Sequence, residues 1–295
     1  MHKRRIIVGD VHGELDGLKE ILRHAGLIDE KDHWTGNGCI LIQTGDVIDR
    51  GTYSREAVIF LRTLQQDALD NGGAVVRLCG NHELMLLQGH FFYANFADPA
   101  SLATELAEEI ARGNVQAAYS DGAWLYSHAG LRSAIREALL AEMGPTEPKT
   151  ERKHINLDQL SEHINRVFRS AVEKDELERH PIFHVGPERG GDDAVGGIFW
   201  CDFSKLSPSI EAWIIPQIFG HTPTRKNEVQ TARGLKLINV DAGMCRVYGG
   251  ARVYLEITEM GDVLQHSQSH SKWTVAPLEP LPVVKTEIRA VYGAL

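Results

Sequence analysis

Ile40-Leu41-Ile42-Gln43-Thr44-Gly45-Asp46-Val47-Ile48-Asp49-Arg50-Gly51 is the stretch from which the rest of the chain can be read. An apolar, β-branched run ends at a glycine and then delivers two carboxylates and a guanidinium, the pattern of a buried strand opening into a polar loop. Asp46, Asp49 and Arg50 are expensive to bury without cations and an anion to answer them, so the stretch predicts a metal site that receives phosphate. Charged turns after strands are common, however, and a surface Asp–Arg pair explains this stretch equally well on its own. Recurrence of the same design decides between the two.

The design does recur. Arg5 to Val8 is a short apolar strand that breaks into Gly9-Asp10-Val11-His12-Gly13, and Leu15, Leu18, Ile21, Leu22 and Ala25 then form a helical stripe. If strand geometry persists, Asp10 and His12, two apart, project to the same side and can grip one ion together. Cys39 to Gln43 is the second expected strand, and Tyr53 to Leu69 the next helix. Ala74 to Cys79 is a third strand, ending in Gly80-Asn81-His82-Glu83. Each of these three units places an oxygen ligand just past a strand's carboxyl end. Ala123 to Tyr126, a fourth strand, ends in Ser127-His128-Ala129-Gly130, and the apolar stretch Ala212 to Phe219 ends in Gly220-His221-Thr222-Pro223-Thr224.

A lone aspartate in such a place often caps a helix, and a lone histidine is often a satisfied core residue. Together, Asp10, His12, Asp46, Asn81, His128 and His221 read as ligands. Mixed nitrogen and oxygen donors suit Mn, Fe or Zn better than Ca or Mg. One aspartate bridging two ions makes a two-metal centre, with the ions ~3.5–4 Å apart.

Composition sets the outer bounds. With 295 residues, 43% hydrophobic and 24% charged, the chain can bury a full core as an ordinary soluble enzyme. A formal net charge of -9 argues against a polyanion partner such as duplex nucleic acid, although clustered cations can overrule the global sign for a small phosphorylated substrate. Cys39, Cys79, Cys201 and Cys245 lie far apart and suggest neither a zinc ribbon nor a disulfide framework, which points to reducing cytoplasm. Met1 to Arg5 is basic, but the apolar run behind it is too short for a signal-peptide core, and no stretch is long enough to span a membrane.

The remaining segments are less informative. Residues 91–120, with a polar helix at Ser101 to Arg112, are expected as an insertion near the mouth of the site. Residues 144–197 are charged, proline-bearing and irregular, helix-compatible at Leu157 to Leu177 and glycine-rich from Gly186. They are expected as a cap or substrate-facing insertion. Leu235 to Val240, Ala251 to Ile257 and Val263 to His266 look like strands. A β-rich C-terminal half opposite an α/β N-terminal half suggests two sheets face to face. Residues 1–275 are expected to form one catalytic domain and 276–295 a peripheral tail.

Gly-Asp-Val-His-Gly, Gly-Asp-Val-Ile-Asp-Arg-Gly, Gly-Asn-His-Glu, His-Ala-Gly and Gly-His-Thr, in this order from residue 9 to 222, resemble the signature of calcineurin-like metallophosphoesterases. Asp-Arg-Gly in the second motif resembles the phosphoprotein phosphatase branch, and the overall look is that of a bacterial member. The resemblance implies an α+β fold, a four-layer α/β-β/α sandwich of two mixed sheets flanked by helices. It implies two divalent ions, Mn first and Fe or Zn as alternatives. Asp10, His12 and Asp46 would hold one ion, with Asp46 bridging, and Asn81, His128 and His221 would complete the other. Asp49 would orient His82, Arg50 would bind the phosphoryl oxygens, and Glu83 would support the ligands from behind.

A hydroxide shared by the ions would attack phosphorus in line while protonated His82 donates to the departing alkoxide. His-Ala-Gly replaces the His-Gly-Gly common in eukaryotic members. The second phosphate-binding arginine usual near a tryptophan is missing from Phe199-Trp200-Cys201-Asp202-Phe203; Arg189, in Glu-Arg-Gly-Gly, is the candidate to replace it.

The implied activity is hydrolysis of a phosphoric monoester, on a phosphoprotein (serine/threonine or tyrosine) or a small phosphate ester. The alternatives are symmetrical hydrolysis of a dinucleoside polyphosphate such as diadenosine tetraphosphate, and a non-catalytic metal-binding scaffold. Against the scaffold, none of the expected ligands, nor Asp49, Arg50 or His82, is replaced. Composition says nothing of oligomeric state.

Overall fold

In a computed structural model of the chain, residues 3–144, 155–206 and 215–278 are described. Three short apolar strands, β1 (Arg5–Val8), β2 (Ile40–Gln43) and β3 (Ala74–Leu78), pair in parallel, and β4 (Val115–Gln116) adds to β3. Their near-continuous hydrophobicity follows from burial on both faces. Side chains alternate between two cores: Ile6, Val8, Leu41 and Val75 pack toward one face, and Ile7, Ile42 and Val76 toward the other. The first face is covered by α1 (Leu15–His24) and α2 (Ser54–Asp70), whose Leu18, Ile21, Leu22, Ala57, Leu61 and Leu64 supply the expected helical stripes.

The second sheet has the order β5-β6-β7-β9-β8, built from β5 (Ala118–Ser120), β6 (Leu125–Ser127), β7 (Gln217–Phe219), β8 (Gln230–Ala232) and β9 (Leu237–Asn239). Here β6, β7 and β9 are mutually parallel. Tyr126, Ile218 and Ile238 close the core between the sheets against Ile7, Ile42 and Val76. α3 (Asn81–Leu87), after β3, packs on α4 (Pro99–Ala111), which bridges the two sides, with Leu102 in the core under α1 and α2 and Leu106 and Ile110 in the core on the far side of the second sheet. The outer layer there consists of α5 (Ser133–Glu142) and α6 (Leu157–Lys174), the last burying Leu160, Ile164, Phe168 and Ala171. Helix, sheet, sheet and helix make the four expected layers.

The halves of the chain do not map onto the sheets as the sequence suggests. β10 (Val253–Ile257) pairs antiparallel with β1, and β11 (Val263–Ser269) and β12 (Lys272–Pro277) extend that same sheet, giving the order β12-β11-β10-β1-β2-β3-β4. C-terminal strands therefore complete the N-terminal sheet, because the free edge of β1 needs hydrogen-bond partners and Leu255 and Ile257 belong in the core between the sheets.

The stretch 91–120 contains α4 and then β4 and β5, one in each sheet, so its last residues are the crossing from the first sheet to the second. Within 144–197, α6 lies on the second sheet: Asn165 Oδ1 accepts from the N–H of Ala117 and Ala118, and its Nδ2 donates to Ala118 O at 2.7 Å. The expected tail begins inside β12, and its residues 279–295 lie outside the described part of the chain. The same is true of residues 212–214 of the apolar stretch before His221.

Candidate metal centre

The carboxyl ends of the parallel strands of both sheets meet at one cleft of about 670 Å³. Asp10, Asp46 and Asn81 follow β1, β2 and β3; His128, His221 and Asp241 follow β6, β7 and β9. All six are buried. His12, the sixth expected ligand, gets there by a different route from the one its spacing suggests. Strand geometry ends at Val8, and His12 adopts a left-handed backbone, φ 47°, with the N–H groups of Val11 and His12 both donating to Asp46 O at 2.9 and 2.8 Å. Asp46, Asp49, Arg50 and His221 are also left-handed, at φ 53°, 68°, 65° and 72°. Five strained non-glycine residues in one site persist only because the surroundings over-determine them.

On the first sheet Asp46 is held in this conformation by Glu83. Its carboxylate accepts from the N–H groups of Val47 (2.8 Å), Ile48 (3.2 Å), Asp46 (2.9 Å) and Gly80 (2.8 Å), so one buried side chain fastens the loops after β2 and β3 together. Gly80 lets those loops touch: a Cβ there would collide with Asp46. Gly220 does the same against Asp10, whose Oδ1 accepts from His221 N–H at 3.1 Å.

Asp46 is shared by two close groups, His12/Asp46/His82 and Asp46/His128/His221. Its Oδ2 lies 3.5 Å from His12 Nε2, and its Oδ1 lies 3.6 Å from His128 Nε2. Asn81 Oδ1 sits 2.9 Å from His128 Nε2 and 2.8 Å from His221 Nδ1, and these two ring nitrogens are 3.0 Å apart. Asp10 lines the cleft but belongs to neither close group.

The donors fit divalent cations. The Nδ1 of His12 and of His128 face the carbonyls of Ile48 and Thr44 at 2.9 Å each, which fixes the proton on Nδ1 and leaves each Nε2 with a lone pair. Burial lowers His12 to about 3 and also lowers His128 and His221, keeping the imidazoles in the neutral form that binds metal. Burial pushes Glu83 and Asp241 up to about 7, with Asp46 adding to both, and drives Asp10 well above the usual carboxylate range. For Asp46 burial also works upward, but the imidazoles of His128, His82, His12 and His221 outweigh it and hold the carboxyl well below that range. Crowded acids, lone pairs aimed at one another and a buried His221 Nε2 with no partner make a site that positive charge completes.

Beside this cluster, Asp49 Oδ2 accepts from His82 Nδ1 at 2.6 Å, and Arg50 Nη2 donates to His82 Nε2 at 2.8 Å. Burial disfavours a charged His82, yet Asp46 and Asp49 raise it overall. Arg189 faces the same cleft, with Nη2 donating to Asp202 Oδ2 at 2.8 Å and Thr222 Oγ1 at 3.2 Å. Asp202, in the segment that lacks the usual arginine, thus positions another one. Tyr93, Trp200 and Tyr248 form aromatic walls.

Sequence reasoning missed Asp241. The signal was there: Leu237-Ile238-Asn239-Val240-Asp241-Ala242-Gly243 is another apolar run leading to a carboxylate, with a glycine two positions on as in Ser127-His128-Ala129-Gly130, but without the glycine that precedes Asp10, Asp46, Asn81 and His221.

The chain belongs to the calcineurin-like phosphoesterase family, whose model matches residues 3–225. Such enzymes work through a dinuclear divalent metal centre. Shewanella-like protein phosphatase 1 of Plasmodium berghei is 46% identical over 90 residues, 30% of this chain and 25% of that protein. Shewanella-like protein phosphatase 2 of Arabidopsis thaliana is 41% identical over 91 residues, 31% of this chain and 23% of that protein. The chain therefore spans about a quarter of the length of these curated relatives. The solved cold-active protein-tyrosine phosphatase of a psychrophilic Shewanella species shares the fold, with a TM-score of 0.70 at 22% identity, covering 95% of this chain and 81% of that one.

Proposed function

We propose that this calcineurin-like phosphoesterase is a phosphomonoesterase acting on phosphorylated protein side chains. Asp10, His12 and Asp46 are assigned to one cation and Asp46, Asn81, His128 and His221 to the other, with Mn favoured by the mixed donor set and Fe or Zn as alternatives. The observation that carries this reading is Asp46, whose two oxygens face His12 on one side and His128 on the other, next to an arginine and an acid–histidine pair in the same cleft. The names of the two curated relatives point the same way.

Cations bound there supply Lewis acidity, polarising phosphoryl oxygens and acidifying a water nucleophile. The chain's own residues do the rest. Asp49 holds the His82 ring so that Nε2 faces the cleft, and with Asp46 it favours the protonated imidazole that can give its proton to the leaving oxygen. Arg50 now rests on that nitrogen. A phosphoryl oxygen is the stronger acceptor, so substrate draws the guanidinium onto itself and frees Nε2 to carry the proton. Arg189, braced by Asp202, presents a second fork to the same anion.

The four thiols are buried and unpaired, in keeping with a reducing cytoplasm. Among the described residues no helix is long and apolar enough to cross a membrane.

Steady-state turnover of a phosphotyrosine peptide, a phosphoserine peptide and diadenosine tetraphosphate, each with Mn supplied, tests the proposal. Hydrolysis of either peptide supports it. Turnover of the tetraphosphate alone replaces it with the nucleotide reading, and turnover of none with the scaffold.

A further inference from the structure

Three arginines face the cleft, and their partners separate them by task. Arg50 rests on His82, and Arg189 is braced by Asp202 and Thr222. Arg225 makes no hydrogen bond or ion pair with any described residue. Its guanidinium lies 5.3 Å from the centroid of the Tyr248 ring, and the guanidinium of Arg50 lies 5.1 Å from the same centroid. One ring therefore carries two cations. Cation–π attraction holds each of them, and among the described residues neither guanidinium is in ion-pair contact with a carboxylate, although Asp241 lies close enough to Arg50 to feel its charge.

The loop that presents Arg225 is tied down. Thr224 Oγ1 donates to Glu228 O at 2.8 Å, and Asn227 Nδ2 donates to Gln268 O, on β11, at 2.9 Å. Arg225 itself is left-handed, φ 57°, a conformation that an arginine seldom adopts without cause. In a chain of net charge -9, an uncompensated cation fixed beside the phosphoryl-binding arginine is placed to receive an anion.

We propose that Arg225 reads a second anionic group on the substrate, a carboxylate or a further phosphate carried beside the phosphoester that Arg50 and Arg189 receive. The inference rests on the phosphomonoesterase reading and narrows its substrate class to phosphorylated segments that carry extra negative charge next to the ester. Tyr248 is a positioning residue for both guanidiniums.

The test uses the full chain with Mn supplied and three phosphopeptides that differ only in their flanks: alanines, aspartates, or a second phosphorylated residue. The wild-type protein should prefer an anionic flank, through KM, by on the order of tenfold in kcat/KM, and the preference should shrink toward about 0.5 M salt. The better of the two anionic arms identifies the source of the anion. Arg225→Gln should collapse the preference to about twofold or less, Arg225→Lys should keep part of it, and Arg225→Glu should invert it. A wild-type protein indifferent to the flanks, or a preference that survives Arg225→Gln, overturns the inference. If no peptide is hydrolysed, the phosphomonoesterase reading fails separately. Fluorescence anisotropy of the labelled peptides on wild type and Arg225→Gln then decides for Arg225: tighter binding of an anionic flank that Arg225→Gln abolishes supports the assignment, and equal binding overturns it.

Discussion

Replacing Glu83 with glutamine is the sharpest single test of how this site is held together. The two carboxylate oxygens accept four backbone N–H groups, two each, and all of the residues involved are buried. An amide keeps one acceptor oxygen and turns an NH₂ toward the other pair, so two buried N–H groups lose their partner and face a donor. At about 1–3 kcal/mol for each group left unsatisfied, and with some relaxation of the loops, Glu83→Gln should lower unfolding free energy by about 2–4 kcal/mol. Glu83→Ala should cost more, because it strands all four.

The loops released carry Asp46 and Asn81, so the affinity for Mn should fall by roughly 10–100-fold, the usual effect of removing a group that supports a ligand. Urea denaturation measures the first effect, and a Mn titration of turnover the second. A Glu83→Gln protein that unfolds at the wild-type midpoint and saturates at the wild-type Mn concentration would refute the idea that this carboxylate fastens the two loops.

Other perturbations separate the remaining roles. His82→Ala should lower turnover by roughly 10²–10⁴-fold with metal content unchanged by elemental analysis; unchanged turnover would remove His82 from proton transfer. Asp46→Asn should lose metal and activity together, and retention of both ions would show the bridging assignment to be mistaken. Glu109 pairs with Arg77 through both oxygens, at 2.7 and 3.1 Å, each residue only 5% exposed, so Glu109→Gln leaves a buried guanidinium short of charge and should destabilise the fold by about 3–5 kcal/mol. Burial works against ionised Glu109, but Arg77 and Arg62 outweigh it and lower its value in the folded protein from the ordinary 4.5. Its contribution is therefore complete above pH 4.5 and is lost as pH falls through the lower folded value. Melting curves taken down to about pH 3 should fall less steeply for Glu109→Gln than for wild type.

Much of this was legible because the same device is repeated. A buried strand shows as an unbroken apolar run, and at four strand ends a glycine followed by a ligand marks where it opens; with His128, which follows Ser127, five of the six strand ends could be found from residue type and order alone. Asp241 escaped because Val240 stands where four of the other ligands have a glycine, and the polar Asn239 interrupts its apolar run. The backbone conformations of His12, Asp46, Asp49, Arg50 and His221 were hidden for a different reason: left-handed φ at non-glycine residues is imposed by tertiary contacts such as those of Glu83, and nothing in local propensity favours it.

β4 and β5, two and three residues long, carry too little periodicity to be seen. The pairing of β10 with β1 joins residues about 250 apart, which no local pattern encodes. Arg189 could be nominated from sequence but not placed, since its geometry depends on Asp202, which became meaningful only once the two side chains were seen to meet.

The division of the site between two sheets also bears on the order of assembly. A chain that has formed only its first sheet owns Asp10, His12, Asp46 and Asn81, and one that has formed only its second owns His128, His221 and Asp241, so the cation assigned to Asp46, Asn81, His128 and His221 draws on both. Capture of that second cation must then follow docking of the layers, so it acts as a rivet set after the plates are aligned. Removing it should loosen the seam between the sheets before it disturbs either sheet.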